Sequence, residues 1–429
     1  MNNWASLGLA LLLGSWTLET HGGSLKLLGS FKVPHAGFTE VVEDHHSNNP
    51  KDKFHLFISS FNPIPLTTDY VYEVAHIGSH LGNVAGIKPK VATTTVTWPN
   101  EVNEVPESVF HKNMLTVSGG FLVPLKTHGM IELLDYSSEP PKGPYRITDE
   151  ATDSKWFYHR VMWLDMNGDG RLDAVTCRAE KPVVFGGPKG QLIWFENPGG
   201  SNALKHTWKS HVLDNGADVY FDIVKLPTPQ GKKDCIITAG FFSKSLNIYW
   251  TTDSKGRWND KSKVKRRVID NHIKAVFDVK ATDLDHDGKL DLLVTSNDAH
   301  DASMYIFEIP SDFRTGAFKK HVIATKFASR TGGVGKGAPG SPLVFYPQVK
   351  KTNVKPWILL SGDDDGRAHL LKPRSEAHGD FKYSMEDVLD VGSGTVGKIA
   401  AKDVDGDGYS EVFIPGYNQG LVHVYTTKV

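Results

Sequence analysis

Apolar residues in this chain come in short runs rich in β-branched and aromatic side chains, each bounded by Gly, Asn, Asp or Pro. That is the pattern of strands joined by tight turns. One kind of run recurs: Leu192-Ile-Trp-Phe-Glu, Leu246-Asn-Ile-Tyr-Trp, Met304-Tyr-Ile-Phe-Glu, His369-Leu-Leu-Lys and Val422-His-Val-Tyr. A second kind follows it, as Lys209-Ser-His-Val-Leu-Asp, Arg266-Arg-Val-Ile-Asp and Lys320-His-Val-Ile. Weaker runs precede them: Phe54-His-Leu-Phe-Ile-Ser, Met114-Leu-Thr-Val-Ser and Met130-Ile-Glu-Leu-Leu. The series predicts a repeated antiparallel sheet, with units starting near residues 37, 110, 160, 220, 277, 342 and 398. Sheets of this size cannot bury both faces alone, so they stack around an axis. The expected fold is an all-β, seven-bladed propeller.

The last unit, Lys398 to Val429, has room for only three strands, while a spare strand of outer type, Leu25-Lys-Leu-Leu-Gly-Ser-Phe-Lys-Val33, stands near the start. That strand is expected to complete the last sheet and remove its open edge, which makes residues 24–429 one domain.

Three acidic segments punctuate the repeat: Asp165-Met-Asn-Gly-Asp-Gly-Arg-Leu-Asp173, Asp283-Leu-Asp-His-Asp-Gly-Lys-Leu-Asp291 and Asp403-Val-Asp-Gly-Asp-Gly-Tyr-Ser-Glu411. Their first residues are 118 and 120 apart, about two units, and a degenerate copy without most of the acids lies between each pair. Carboxylates at alternate positions of a tight turn can face one centre, and hard oxygen donors at that density suit Ca²⁺. In the second segment Asp283, Asp285 and Asp287 supply side-chain oxygens, Lys289 its backbone carbonyl, and Asp291 closes the set. The other two offer Asp165, Asn167, Asp169, Arg171 and Asp173, and Asp403, Asp405, Asp407, Tyr409 and Glu411. Asn167 replaces an acid, so the first loop is expected to bind weakest. An EF-hand is excluded: its twelfth position needs Glu and here holds Thr176, Val294 or Ile414, and the flanks read as strands.

These loops resemble those of the FG-GAP/VCBS repeat family, which includes the calcium-binding blades of integrin α-subunit propellers and many secreted propellers. The resemblance spans residues 24–429 through the blade count, with its specific motifs in three units. It implies calcium ligation by the residues just named. The run Gln191-Leu-Ile-Trp-Phe-Glu-Asn-Pro-Gly199 is similar to VCBS propellers, including the propeller portion of aldos-2-ulose dehydratases.

Composition changes this picture little. The formal net charge of −1 provides no field that would draw nucleic acid or an anionic membrane. The apolar stretch Leu7-Gly-Leu-Ala-Leu-Leu-Leu13 is too short to span a bilayer and reads as the core of a signal peptide over residues 1–22, so the protein is expected to be secreted, with no membrane span. Two cysteines, Cys177 and Cys235, exclude a disulfide scaffold; they read as two buried thiols, with a single disulfide between them as the alternative.

Loops leading into the innermost strands surround a propeller's channel mouth, and here they hold His35, His111, His159, Arg160, Tyr220, His272, Lys274, Lys336 and Lys398. His159 and His272 are the candidates for acid–base chemistry. Lys263-Val-Lys-Arg-Arg267 offers either a polyanion patch or the blunting of an exposed strand edge. No nucleophile elbow, phosphate loop or zinc-ligand spacing is present. The expected function is therefore non-enzymatic: a Ca²⁺-binding extracellular binding or adhesion module for a protein or carbohydrate partner. The alternative is a secreted carbohydrate lyase or dehydratase working at the channel mouth.

Overall fold

In the computed structural model, which describes residues 23–123, 125–180, 187–333 and 335–429, the chain forms seven four-stranded antiparallel sheets. Six are built from consecutive strands. Their first strands are Ala36–Glu43, Pro99–Val105, Phe157–Leu164, Tyr220–Thr228, Ala275–Thr282 and Pro342–Phe345, and they open blades 1 to 6. Blade 7 has three late strands, Ala400–Lys402, Glu411–Gly416 and Leu421–Thr426, and takes its fourth, Lys26–Lys32, from the other end of the chain. The first strands of neighbouring blades contact one another, and a bridge between Phe38 and Lys398 joins blade 1 to blade 7. The molecule is a seven-bladed β-propeller. The segment expected to be a signal peptide, residues 1–22, lies outside the described residues.

Side-chain alternation explains why the strands read as unbroken apolar runs. In Lys189–Glu196, Ile193 and Phe195 face blade 2, where they pack with Val105, Met114 and Leu133. Leu192 and Trp194 face blade 4 and pack with Phe221 and Tyr249. Leu359 and Leu360 divide in the same way between the blade 6–7 and blade 5–6 interfaces. A strand buried on both faces needs apolar residues at successive positions. The described residues thus form seven apolar clusters, essentially one between each pair of blades. Cys177 belongs to the blade 3–4 cluster and Cys235 to the blade 4–5 cluster; both are free and buried.

The sequence pattern misplaced one unit. Blade 2 starts at Pro99, not near residue 110; Phe110 ends a short helix, Glu107–Phe110, between the first and second strands. The strand Pro99–Val105 carries Asn100, Glu101, Asn103 and Glu104 and so lacks an apolar signature. Its buried polar residues are satisfied from outside the strand: Glu101 by Arg160 and Lys398, and Asn100 by the carbonyls of Gly120 and Tyr158. His111 therefore lies on the face opposite the mouth to which its assigned loop would belong.

Strand Lys26–Lys32 pairs with Leu421–Thr426 from Lys26–Thr426 to Lys32–Leu421, interrupted by one bulge at Leu27–Gly29. Its Phe31 packs with Phe54, Val74 and Val422 between blades 7 and 1. A protein starting at Pro34 should expose the edge of Leu421–Thr426 and aggregate, since an unpaired edge is a template for intermolecular pairing. Light scattering and a melting curve check this; a monomer with unchanged melting would contradict it. No helix among the described residues is long and apolar enough to cross a membrane.

Candidate functional site

The propeller has two faces: an entry face, where the chain enters each first strand, and an exit face, where it leaves for the second. All three acidic segments are exit-face loops between first and second strands. In the blade 5 loop the carboxylates of Asp283, Asp285 and Asp291 offer oxygens within 4.8 Å of one another, and in blade 7 those of Asp403, Asp405 and Glu411 do the same. These are loop positions one, three and nine.

Backbone geometry builds the turn. Asp283 accepts from the N–H groups of Asp287 (3.1 Å) and Gly288 (2.9 Å), and Asp403 from those of Gly406 (2.8 Å) and Gly408 (2.9 Å). Gly288 has φ +84°, with open space where a Cβ would stand, so its glycine serves conformation rather than packing. Asp291 and Glu411 each begin a core strand, and burial, aided by the loop acids around them, pushes both carboxyls up to about 8. A cation at the convergence would relieve that repulsion. The fifth-position acids turn outward instead: Asp287 pairs with Lys289 at 2.6 Å and Asp407 with Lys428 at 2.9 Å.

The blade 3 loop has the same turn but a different charge arrangement. Asn167 holds the third position, the Arg171 guanidinium sits on Asp169, and Asp173 accepts from the N–H groups of Met166 (2.9 Å) and Asn197 (2.8 Å). Among the described residues, three carboxylates converge within 4.8 Å in the other two loops and not in this one. The neutral Asn167 at the third position accounts for the difference, since a basic side chain sits on the fifth-position acid in all three loops.

The axis is not an open channel. Arg160, 3% exposed, donates from Nε and Nη2 to Glu101 at 2.8 and 2.9 Å. From Nη1 and Nη2 it also donates to Asp278 at 2.8 and 3.0 Å, and Nη1 reaches the carbonyl of Phe221 at 2.9 Å. Lys398 lies 2.7 Å from Glu40 and 3.3 Å from Glu101. Five of the seven blades thus meet in one ionic network. Burial alone would raise the Glu101 carboxyl; Arg160 and Lys398 hold it well below the usual carboxylate range. Pattern reading missed Glu101 and Asp278, although Phe38-Thr39-Glu40, Phe221-Asp222 and Phe277-Asp278 repeat an aromatic-then-acid signal early in first strands.

The candidate catalytic histidines stand in unlike surroundings. His159, 6% exposed, is wedged between Phe38 and Tyr220, with ring centres 5.3 and 4.3 Å away. Its Nδ1 is enclosed without a partner, and burial lowers it to about 4, so it is neutral at physiological pH. The His272 side chain is 87% exposed beside Asp270. No hydrogen bond or ring contact joins the two among the described residues. Of the other mouth candidates, Lys274 pairs with Asp298 at 3.1 Å, Lys336 with Asp364 at 2.7 Å, and His35 rests on Tyr417. The basic run is tied down as well: Lys263 to Asp253, Arg266 to Asp214, and Arg267 to the carbonyl of Phe313.

The entry face carries a feature not foreseen from sequence. Ten rings touch in a closed circuit, Phe38, Phe61, Trp98, Phe121, Phe157, Phe242, Phe241, Phe277, Tyr220, His159 and back to Phe38, with centres 4.3–6.3 Å apart. Six of them, at 38, 61, 121, 241, 242 and 277, are only half-buried. Beside the circuit a cavity of about 580 Å³, lined in part by Trp156, Gln191, Asn215, Asp218 and Phe242, opens between blades 3 and 4.

No family model matches the chain, and no curated protein matches it. Among solved structures, the Dos1 propeller is similar at 10% identity and TM-score 0.47, covering 94% of this chain and 95% of that one. A chain of the S. cerevisiae complex of Dbp5 with Nup159, Gle1, IP6 and ADP is similar at 11% identity and TM-score 0.48, over 94% and 95%. Both likenesses concern the path of the chain, and function has to be argued from this chain's own side chains.

Proposed function

We propose that this protein is a secreted propeller of the FG-GAP/VCBS kind that binds Ca²⁺ in its exit-face loops and serves as an extracellular binding or adhesion module. The observation that carries the calcium reading is the convergence of three carboxylates within 4.8 Å at the same loop positions of blades 5 and 7. Calcium accepts six to eight oxygens, and the carbonyls of Lys289 and Tyr409, water, and the fifth-position acids once they turn in from Lys289 and Lys428 complete the set. The blade 3 loop binds a third, weaker ion.

The partner, a protein or a carbohydrate, is taken at the entry face. Half-buried rings beside a polar cavity present apolar surface to an apolar side chain or to the flat face of a sugar, and amide and carboxylate groups nearby fix orientation. The test is a glycan array and a panel of extracellular matrix proteins, with calcium-loaded protein as the probe. Binding should be lost in Phe61→Ser with Phe242→Ser and kept in Asp283→Ala at high calcium. Binding that ignores both ring substitutions places the partner site elsewhere.

The same preparation examines the enzymatic alternative. A lyase would use one of the two histidines as its base, whereas here one is sealed and neutral and the other stands in solvent. His272→Ala should leave partner binding and melting unchanged, and uronate oligosaccharides should yield no unsaturated product. Turnover that disappears in His272→Ala or His159→Ala would establish the enzyme reading.

A further inference from the structure

Two histidines of blade 1 lie apart from the groups described so far. His55, on the strand Phe54–Ser60, is 5% exposed, and its Nδ1 is 2.7 Å from the Glu73 carboxylate on the next strand, Tyr70–Val74. His76 follows that strand at the exposed end, and its Nδ1 is 2.8 Å from the carbonyl oxygen of Asp52. A carbonyl and an ionised carboxylate can only accept, so in both rings Nδ1 carries the proton. In the neutral imidazoles the lone pair is therefore on Nε2 in each. The Nε2 of His55 is enclosed and has no hydrogen-bond partner.

The two ring centres are 4.9 Å apart, with planes at 62°. Two imidazoles bound through nitrogen to one tetrahedral ion, at metal–nitrogen distances of about 2.0–2.1 Å, have their centres about 5 Å apart. Histidines that ligate metals have their other nitrogen bonded to a carboxylate or a backbone carbonyl, which fixes tautomer and ring orientation. Both supports are present here. The backbone of His76 adopts φ +53°, a left-handed conformation that is uncommon outside glycine and marks a constrained position.

We infer that His55 and His76 form a two-histidine site for a divalent transition ion of the zinc class, with water in the remaining positions. Imidazole nitrogen favours such ions, whereas the oxygen-only loops favour calcium, so the two kinds of site select different metals. The exposed side of His76 is the way in. Separated by 21 residues on different segments, the pair shows no ligand spacing in the sequence.

The test uses the full protein with its loops saturated by Ca²⁺. Zn²⁺ is titrated by calorimetry, and Co²⁺ by the visible absorption of its tetrahedral form. One ion per chain should bind. His76→Ala, a surface change, should abolish the absorption, and Glu73→Gln should weaken affinity about 10–100-fold through the lost orientation of His55. Asp283→Ala should change neither readout, which separates this site from the calcium loops. Wild-type protein that gives no Co²⁺ absorption, or His76→Ala protein that binds Zn²⁺ as tightly as wild type, overturns the inference.

Discussion

Arg160→Ala should be the most damaging single side-chain truncation on the axis. It leaves Asp278, 0% exposed, without its guanidinium, and Glu101, also 0% exposed, with Lys398 at 3.3 Å as its remaining salt-bridge partner. Removing one partner of a buried, hydrogen-bonded ion pair costs about 3–5 kcal/mol, because the charge left behind can neither reach water nor find a counter-ion. Here one guanidinium serves two carboxylates and a backbone carbonyl, which places the expected loss at the upper end of that range. Denaturant titration followed by tryptophan fluorescence would measure it. Arg160→Met combined with Glu101→Leu and Asp278→Leu should recover most of the loss, since apolar residues of similar volume need no counter-ions. Unchanged stability in Arg160→Ala would mean that the axial network is solvated and that the axis is open after all.

Calcium removal should have an effect of similar size for each pair of loops, spread over three loops in all. An ion that binds only the folded chain at ~100 times its dissociation constant stabilises it by roughly 2.7 kcal/mol per site. Extracellular modules bind Ca²⁺ at roughly 10⁻⁴–10⁻³ M, which suits permanent occupancy outside the cell. Chelation should therefore lower the melting temperature markedly, and added calcium should restore it. Asp283→Ala removes one of the convergent carboxylates of blade 5 and should abolish part of that calcium dependence. Asn167→Asp in blade 3 should increase it. Melting that ignores both chelator and calcium would reduce the loops to ordinary acidic turns.

What could be read from the chain alone, and what could not, follows from where polar residues are placed. Blades 3 to 7 announce themselves because their second and third strands are apolar on both faces, as in Leu192-Ile-Trp-Phe. Completion of blade 7 by residues 26–32 was legible from a strand too many near one end and one too few at the other. Blade 2 was misplaced because Asn100 and Glu101 occupy a buried strand and their side chains reach Tyr158, Arg160 and Lys398, 58 to 297 residues away. Position along the chain carries no signal for such a pairing. The acidic loops were visible as a motif, but not that their fifth-position acids turn to Lys289 and Lys428. The ring circuit was invisible for a similar reason: each aromatic residue reads as core until ten of them are brought to one face.

The pairing of Lys26 with Thr426 also sets how the molecule would respond to pulling. Because the two strands run antiparallel, with Lys26 and Thr426 at the same end, a load that draws those residues apart falls on one pair of hydrogen bonds at a time, as in opening a zip. The seam is thus the mechanical weak point of a ring whose seven apolar interfaces resist heat together. Tension applied there would release the strand Lys26–Lys32 first and leave blade 7 with three strands and an open edge.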